Sequence, residues 1–129
     1  MEHRKNASIE WTPAPSENFT GDVWFGALSQ DGGPEGLNAL GVQFAPGART
    51  DWHSHPGGQV LYVTSGAGLV ANEDGDRVEV AAGDVLYAPA GELHWHGATP
   101  DSPMMHLSLT TGGATEWEPR KVTDTEYRG

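Results

Sequence analysis

A chain of 129 residues has room for one domain with one core. With no cysteine it carries no disulfide, no thiolate metal site and no thiol nucleophile. Seven Lys and Arg against 18 Asp and Glu give a net charge of −11, a surface that repels phosphate backbones and anionic lipids, so neither nucleic acid nor membrane is an expected partner.

Residues 1–19 are polar, with Pro13 and Pro15, and read as an N-terminal arm or an edge strand. Residues 20–129 read as one domain with a short C-terminal tail. No apolar segment follows residues 1–5, and no apolar run approaches the ~20 residues of a membrane span. No secretory signal is expected, and a cytoplasmic location is. Gly (18) and Pro (9) are abundant and gather in clusters, at Asp31-Gly32-Gly33-Pro34, Pro46-Gly47, Pro56-Gly57-Gly58, Pro89-Ala90-Gly91 and Gly112-Gly113. Between the turns lie runs with strand character, at 23–28, 40–44, 50–55, 59–64, 68–72, 78–80, 85–88, 94–98 and 105–109. Short strands at about 8–12-residue spacing predict an all-β sandwich or barrel. Glu73-Asp74-Gly75-Asp76 is a hairpin turn, because Gly tolerates positive φ. Thr123-Asp124-Thr125-Glu126 is a capping-box pattern with space for one short helix.

Five of the six histidines fall in three of these runs. His53 and His55 are one residue apart, as are His94 and His96, and His106 sits in the following run. A period of two places each pair on one face of its strand. If that face points into a barrel, the imidazoles converge on one cavity, and Gln59 returns to the same space past the Pro56-Gly57-Gly58 turn. Three neutral imidazoles and one side-chain oxygen suit Mn, Fe, Ni, Co or Zn. One His-x-His pair by itself is as readily a surface feature. His106, between Met105 and Leu107, also reads as a hydrogen-bonded core histidine, and His3 reads as solvated. The five tryptophans read as core or interface residues.

The spacing Gly47-x5-His53-x-His55-x3-Gln59-x6-Gly66, with Gly83-x5-Pro89-x-Gly91-x2-His94, resembles the two motifs of the cupins. The resemblance implies a single-domain all-β cupin barrel (a jelly roll, or double-stranded β-helix) with metal ligands His53, His55, Gln59 and His94. Two residues depart from the pattern: Gln59 stands where Glu is usual, and Ala98 where Asn usually ends the second motif. With a neutral Gln the divalent site stays at a net charge of about +2 instead of +1, which favours a bound anion and argues for Lewis-acid work over redox cycling.

Residues 44–56, 91–98, the His106 run and 122–127 are further similar to small bacterial cupins that include manganese-dependent, R-selective hydroxynitrile lyases. That resemblance implies a divalent transition metal, Mn(II) favoured with Fe(II), Ni(II), Co(II) or Zn(II) open. It also implies a lyase that cleaves or forms cyanohydrins, a small-molecule substrate, and a homodimer or homotetramer. His96 is then the expected base, with His106 holding or protonating the departing cyanide. Val42, Phe44, Leu61, Val63 and Met104 are expected by parity to line the pocket. Tyr62 and Tyr87 are read as ordinary strand residues before polar handles, and Trp11 or Trp117 as interface residues. Two other functions compete. A cupin oxygenase would use the same ligands and would be told apart by a preference for iron and by oxygen uptake. A non-catalytic binding cupin would have no use for a pocket base such as His96.

Overall fold

Strand β7 (Gln59–Asn72) is 14 residues long and shapes the whole fold. In the computed structural model, which describes residues 1–29 and 36–129, its first half pairs antiparallel with β11 (Met104–Thr110) and β9 (Val85–Ala88). Its second half pairs with β10 (His94–Ala98) and β8 (Arg77–Ala81). The strand thus belongs to two sheets and curls them into a barrel. The sequence pattern breaks this strand into 59–64 and 68–72. The chain stays extended because Gly66, at φ 78°, absorbs the bend in the left-handed region. Beside it the register with β11 shifts between Met105 and His106, and a Cβ at position 66 would meet the Pro103 carbonyl.

The remaining strands are β1 (Trp11–Pro13), β2 (Phe19–Thr20), β3 (Val23–Ala27), β4 (Asn38–Phe44), β5 (Arg49–Thr50), β6 (His53–Ser54) and β12 (Glu116–Trp117). The main path runs β1-β3-β4-β11-β7-β10-β5-β2. The expected run 50–55 is split into β5 and β6. The chain kinks at buried Asp51, whose carbonyl oxygen turns to the His53 ring 2.9 Å away. In the N-terminal segment, β1 pairs with β3 as an edge strand, and β2 pairs with β5. The expected turn at Asp31-Gly32-Gly33-Pro34 lies outside the described residues. Among the described residues no helix is long and apolar enough to cross a membrane.

Two apolar clusters hold the barrel. The interior one includes Val23, Phe44, Leu61, Val63, Ala98 and Met104. The second lies outside β10, where Trp52, Leu69 and Trp95 are covered by Val122 and Tyr127 of the C-terminal tail. Burying the Trp95 indole withdraws roughly 200 Å² from water, on the order of 5 kcal/mol. The tail is pinned there by α1 (Asp124–Arg128), whose capping box is complete: Glu126 N–H donates to Thr123 Oγ1 (3.1 Å) and Thr123 N–H to the Glu126 carboxylate (3.0 Å). Tyr127 donates its hydroxyl to the Ala98 carbonyl at 2.6 Å, and Arg49 reaches Val122 O and Asp124.

Tyr62 and Tyr87 stand exposed on the outer face of the sheet, so they are strand residues and not polar handles of the interior. Trp11 lies over Gly26 and Gly41 on that same outer face. Gly97 is needed for close packing of β10 on β5, since a Cβ there would meet the Ala48 carbonyl and come within 2.6 Å of Arg49 Cβ. Gly97→Ala is therefore expected to destabilise the protein by about 1–3 kcal/mol. Urea denaturation would show this as a lower midpoint at unchanged slope.

Candidate metal centre

The pleat of β10 sends His94 and His96 inward and Trp95 outward, and all three are buried. On the neighbouring strand β6, His53 lies directly opposite His94 in the register, with ring centroids 4.4 Å apart. His55 follows at the start of the Pro56-Gly57-Gly58 turn, its ring 5.1 Å from that of His53 and 5.7 Å from that of His94. Gln59 opens β7 and brings its Oε1 to 2.9 Å from His94 Nε2. From the other side of the barrel, on β11, His106 places Nε2 3.0 Å from His96 Nδ1, so one ring donates an N–H to the other. The structure thus brings together all six residues singled out in the sequence: His53, His55, Gln59, His94, His96 and His106.

Backbone carbonyls set the ring tautomers. His53 Nδ1–H donates to Asp51 O and His94 Nδ1–H donates to Glu92 O, each at 2.9 Å and each two residues back along the chain. Both rings are left with an Nε2 lone pair, the form in which imidazole binds a metal. His94 Nε2 then faces Gln59 Oε1, lone pair against lone pair, an arrangement that a cation between the two groups stabilises. One ring nitrogen from each of His53, His94 and His96 lies within 4.8 Å of the others, so this cluster can hold a divalent ion. This closest grouping contains His96 in place of His55. The Nε2 atoms of His55 and His96 are both buried without a hydrogen-bond partner. The donor set, neutral nitrogens and one amide oxygen, fits a divalent transition ion.

Burial dominates the electrostatics. It holds His53 and His96 well below the usual histidine range, with neighbouring imidazoles adding to the effect. Burial, then the His94 ring, takes His55 down to about 4, and burial takes His106 to about 3. His94 is lowered too, against the opposing pull of the Glu92 carbonyl. At neutral pH every ring is a free base.

Residues 41–110 match the Cupin domain family. The chain is 41% identical over 131 residues to an (R)-mandelonitrile lyase of Granulicella tundricola, covering 99% of each. The chain belongs to the cupins. A cupin-like protein from Thermotoga maritima, solved by crystallography, superposes with a TM-score of 0.87 at 40% identity over 94% of each chain. A gentisate 1,2-dioxygenase from Streptomyces is 38% identical over 55 residues, which is 43% of this chain and 15% of the dioxygenase.

The cupin cavity, about 230 Å³, differs in its walls from the parity expectation. Of Val42, Phe44, Leu61, Val63 and Met104, only Val42 lines it. The other four point inward but fill the closed end of the barrel, with Phe44 packed on the rings of His96 and His106. Parity tells inside from outside and says nothing about position along the barrel axis. The open end is walled by Phe19, Phe25 and Trp117, with Phe19 edge-on to both others at 5.3 and 5.5 Å. Trp117 is therefore a cavity residue, with its ring 4.8 Å from that of His53. Its signal was absent because β12 is two residues long and reaches the site only by pairing with β6. His94→Ala removes an Nε2 lone pair from the middle of the donor set and is expected to abolish metal uptake. Elemental analysis of the purified variant beside the wild type checks this.

Proposed function

We propose that this cupin is a metal-dependent lyase of hydroxynitrile-lyase type, which splits a cyanohydrin into an aldehyde and hydrogen cyanide and also catalyses the reverse addition. The observation that carries this reading is the His96–His106 pair, two buried imidazoles hydrogen-bonded to one another beside the candidate metal donors at the end of the cavity. In this reading His53, His55, Gln59 and His94 hold the ion, for which Mn(II) is favoured. Such an ion supplies Lewis acidity that makes a hydroxyl or carbonyl oxygen more acidic or more electrophilic.

The chain's own residues supply the rest. With His96 Nδ1–H donating to His106 Nε2, His96 Nε2 keeps its lone pair and, buried without a partner, is the base that accepts the hydroxyl proton. As the C–C bond breaks, its electron pair leaves with cyanide and the carbonyl forms. The proton returns to cyanide from the His96–His106 pair, so the pair ends as it began. Because burial keeps His96 neutral well below its ordinary range, the base remains competent in mild acid, where the uncatalysed reaction is slow. Phe19, Phe25 and Trp117 form a dry aromatic wall suited to an aryl substituent, in keeping with the substrate named for the 41%-identical relative. The neutral Gln59 supports Lewis-acid chemistry over redox cycling, while the partial likeness to gentisate dioxygenase supports the oxygenase alternative.

The test is cleavage of racemic mandelonitrile by Mn(II)-loaded protein at mildly acidic pH, followed by benzaldehyde absorbance. Release that depends on metal and prefers one enantiomer is expected. No release from fully loaded protein, with oxygen uptake by the Fe(II)-loaded form, would replace the lyase by an oxygenase. His96→Ala is expected to keep its metal and to lose turnover by ~10²-fold or more. Turnover at the wild-type rate would remove His96 from the mechanism.

A further inference from the structure

Gln59 poses a problem that a carboxylate in its place would not. The two oxygens of a carboxylate are equivalent, whereas the two ends of an amide have nearly the same shape and opposite chemistry. Only the oxygen end carries lone pairs. In the structure Oε1 faces His94 Nε2 at 2.9 Å, and Nε2 of the amide donates to Ser108 Oγ at 2.7 Å. Both residues are buried, at 3% and 7% exposure. Ser108 is placed for this by the period of β11, which turns His106, Ser108 and Thr110 to the interior. The register puts Thr110 opposite Gln59 and Ser108 opposite Leu61, so Ser108 reaches the Gln59 amide diagonally across the β7–β11 pair.

We propose that Ser108 is a positioning residue which accepts a hydrogen bond from the Gln59 amide nitrogen and so keeps the amide oxygen turned toward the metal centre. The inference rests on the metal-centre reading and goes beyond it by naming what lets a neutral amide serve in the donor set. With an ion bound, the oxygen is committed to it, and the amide nitrogen is forced toward position 108. Without an acceptor there, a buried N–H is left unpaired. With no ion bound, the amide is free to turn over or swing into the cavity, so loss of Ser108 falls mainly on the metal-bound state. The effect is a loss of metal affinity.

The experiment compares wild type, Ser108→Thr, Ser108→Val and Ser108→Ala in titrations with Mn(II) alone against a chromophoric chelator, with His94→Ala beside them. Thr and Val have the same shape and differ in the hydroxyl, so any disturbance from the branched side chain is common to both. Expected is a loss of ~10-fold or more in affinity for Ser108→Val and Ser108→Ala, with Ser108→Thr close to wild type. Circular dichroism of the metal-free proteins confirms that each is folded, and Ser108→Ala preserves the test if the valine variant is not. Wild-type affinity in both Ser108→Val and Ser108→Ala overturns the proposal. So does a loss in Ser108→Thr equal to that in Ser108→Val, which would assign the effect to shape. If wild type takes up no more Mn(II) than His94→Ala, the metal centre itself is refuted, a result distinct from a failure at Ser108.

Discussion

The alternation of side chains along β10 is the constraint on which the site and the outer core both depend. His94 and His96 point into the barrel because they are two residues apart, and the same pleat drives Trp95 to the opposite face. A strand with imidazoles on one side and an indole on the other cannot leave either side wet. The C-terminal tail covers the indole side with Val122 and Tyr127, and the tyrosine hydroxyl closes on the Ala98 carbonyl at the end of the strand. A one-residue slip of β10 would expose the histidines and force Trp95 into the cavity. The docked tail therefore supports the same strand that carries His94 and His96.

The site gathers five histidines without a charged residue in the cavity wall, in a chain with a net charge of −11. The acidic group buried nearest to it, Asp51, is paired with Lys121 at 3.3 Å, and none lines the cavity. The cost of burying imidazoles is limited because all five stay neutral, and two of them satisfy Nδ1–H on carbonyls of their own chain. The lone pairs that remain are those that a divalent ion would use. Burial keeps the rings neutral, and the Asp51 and Glu92 carbonyls choose the tautomers of His53 and His94, so two separate causes leave the lone pairs facing one another.

Much of this was legible in sequence. The inward face of β10, the return of Gln59 past the Pro56-Gly57-Gly58 turn and the capping box at Thr123 all follow from local rules, and local rules survive folding. The continuity of β7 did not show, because Gly66 bends the chain in the left-handed region and the register slips beside it, at Thr64, which changes which residues face inward. Phe44, Leu61, Val63 and Met104 were assigned to the pocket on parity, which does not say where the barrel is plugged and where it opens. The division between plugged and open ends is made by segments far apart in sequence, and no local pattern reports it.

Those distant segments set the size of the cavity. The wall containing Phe19 belongs to the N-terminal segment, and the wall containing Trp117 precedes the C-terminal tail. Lys121 ties the two: its ammonium donates to the carbonyls of Ser16, Glu17 and Phe19 and lies 3.3 Å from the Asp51 carboxylate. Asp51 in turn receives the His53 Nδ1–H on its backbone oxygen and donates its own N–H to Asn18 O. One lysine therefore connects the aromatic mouth of the cavity to the carbonyl that orients His53. The imidazole cluster and the aromatic wall are thus joined twice, through Asp51 and through the direct packing of Trp117 on His53.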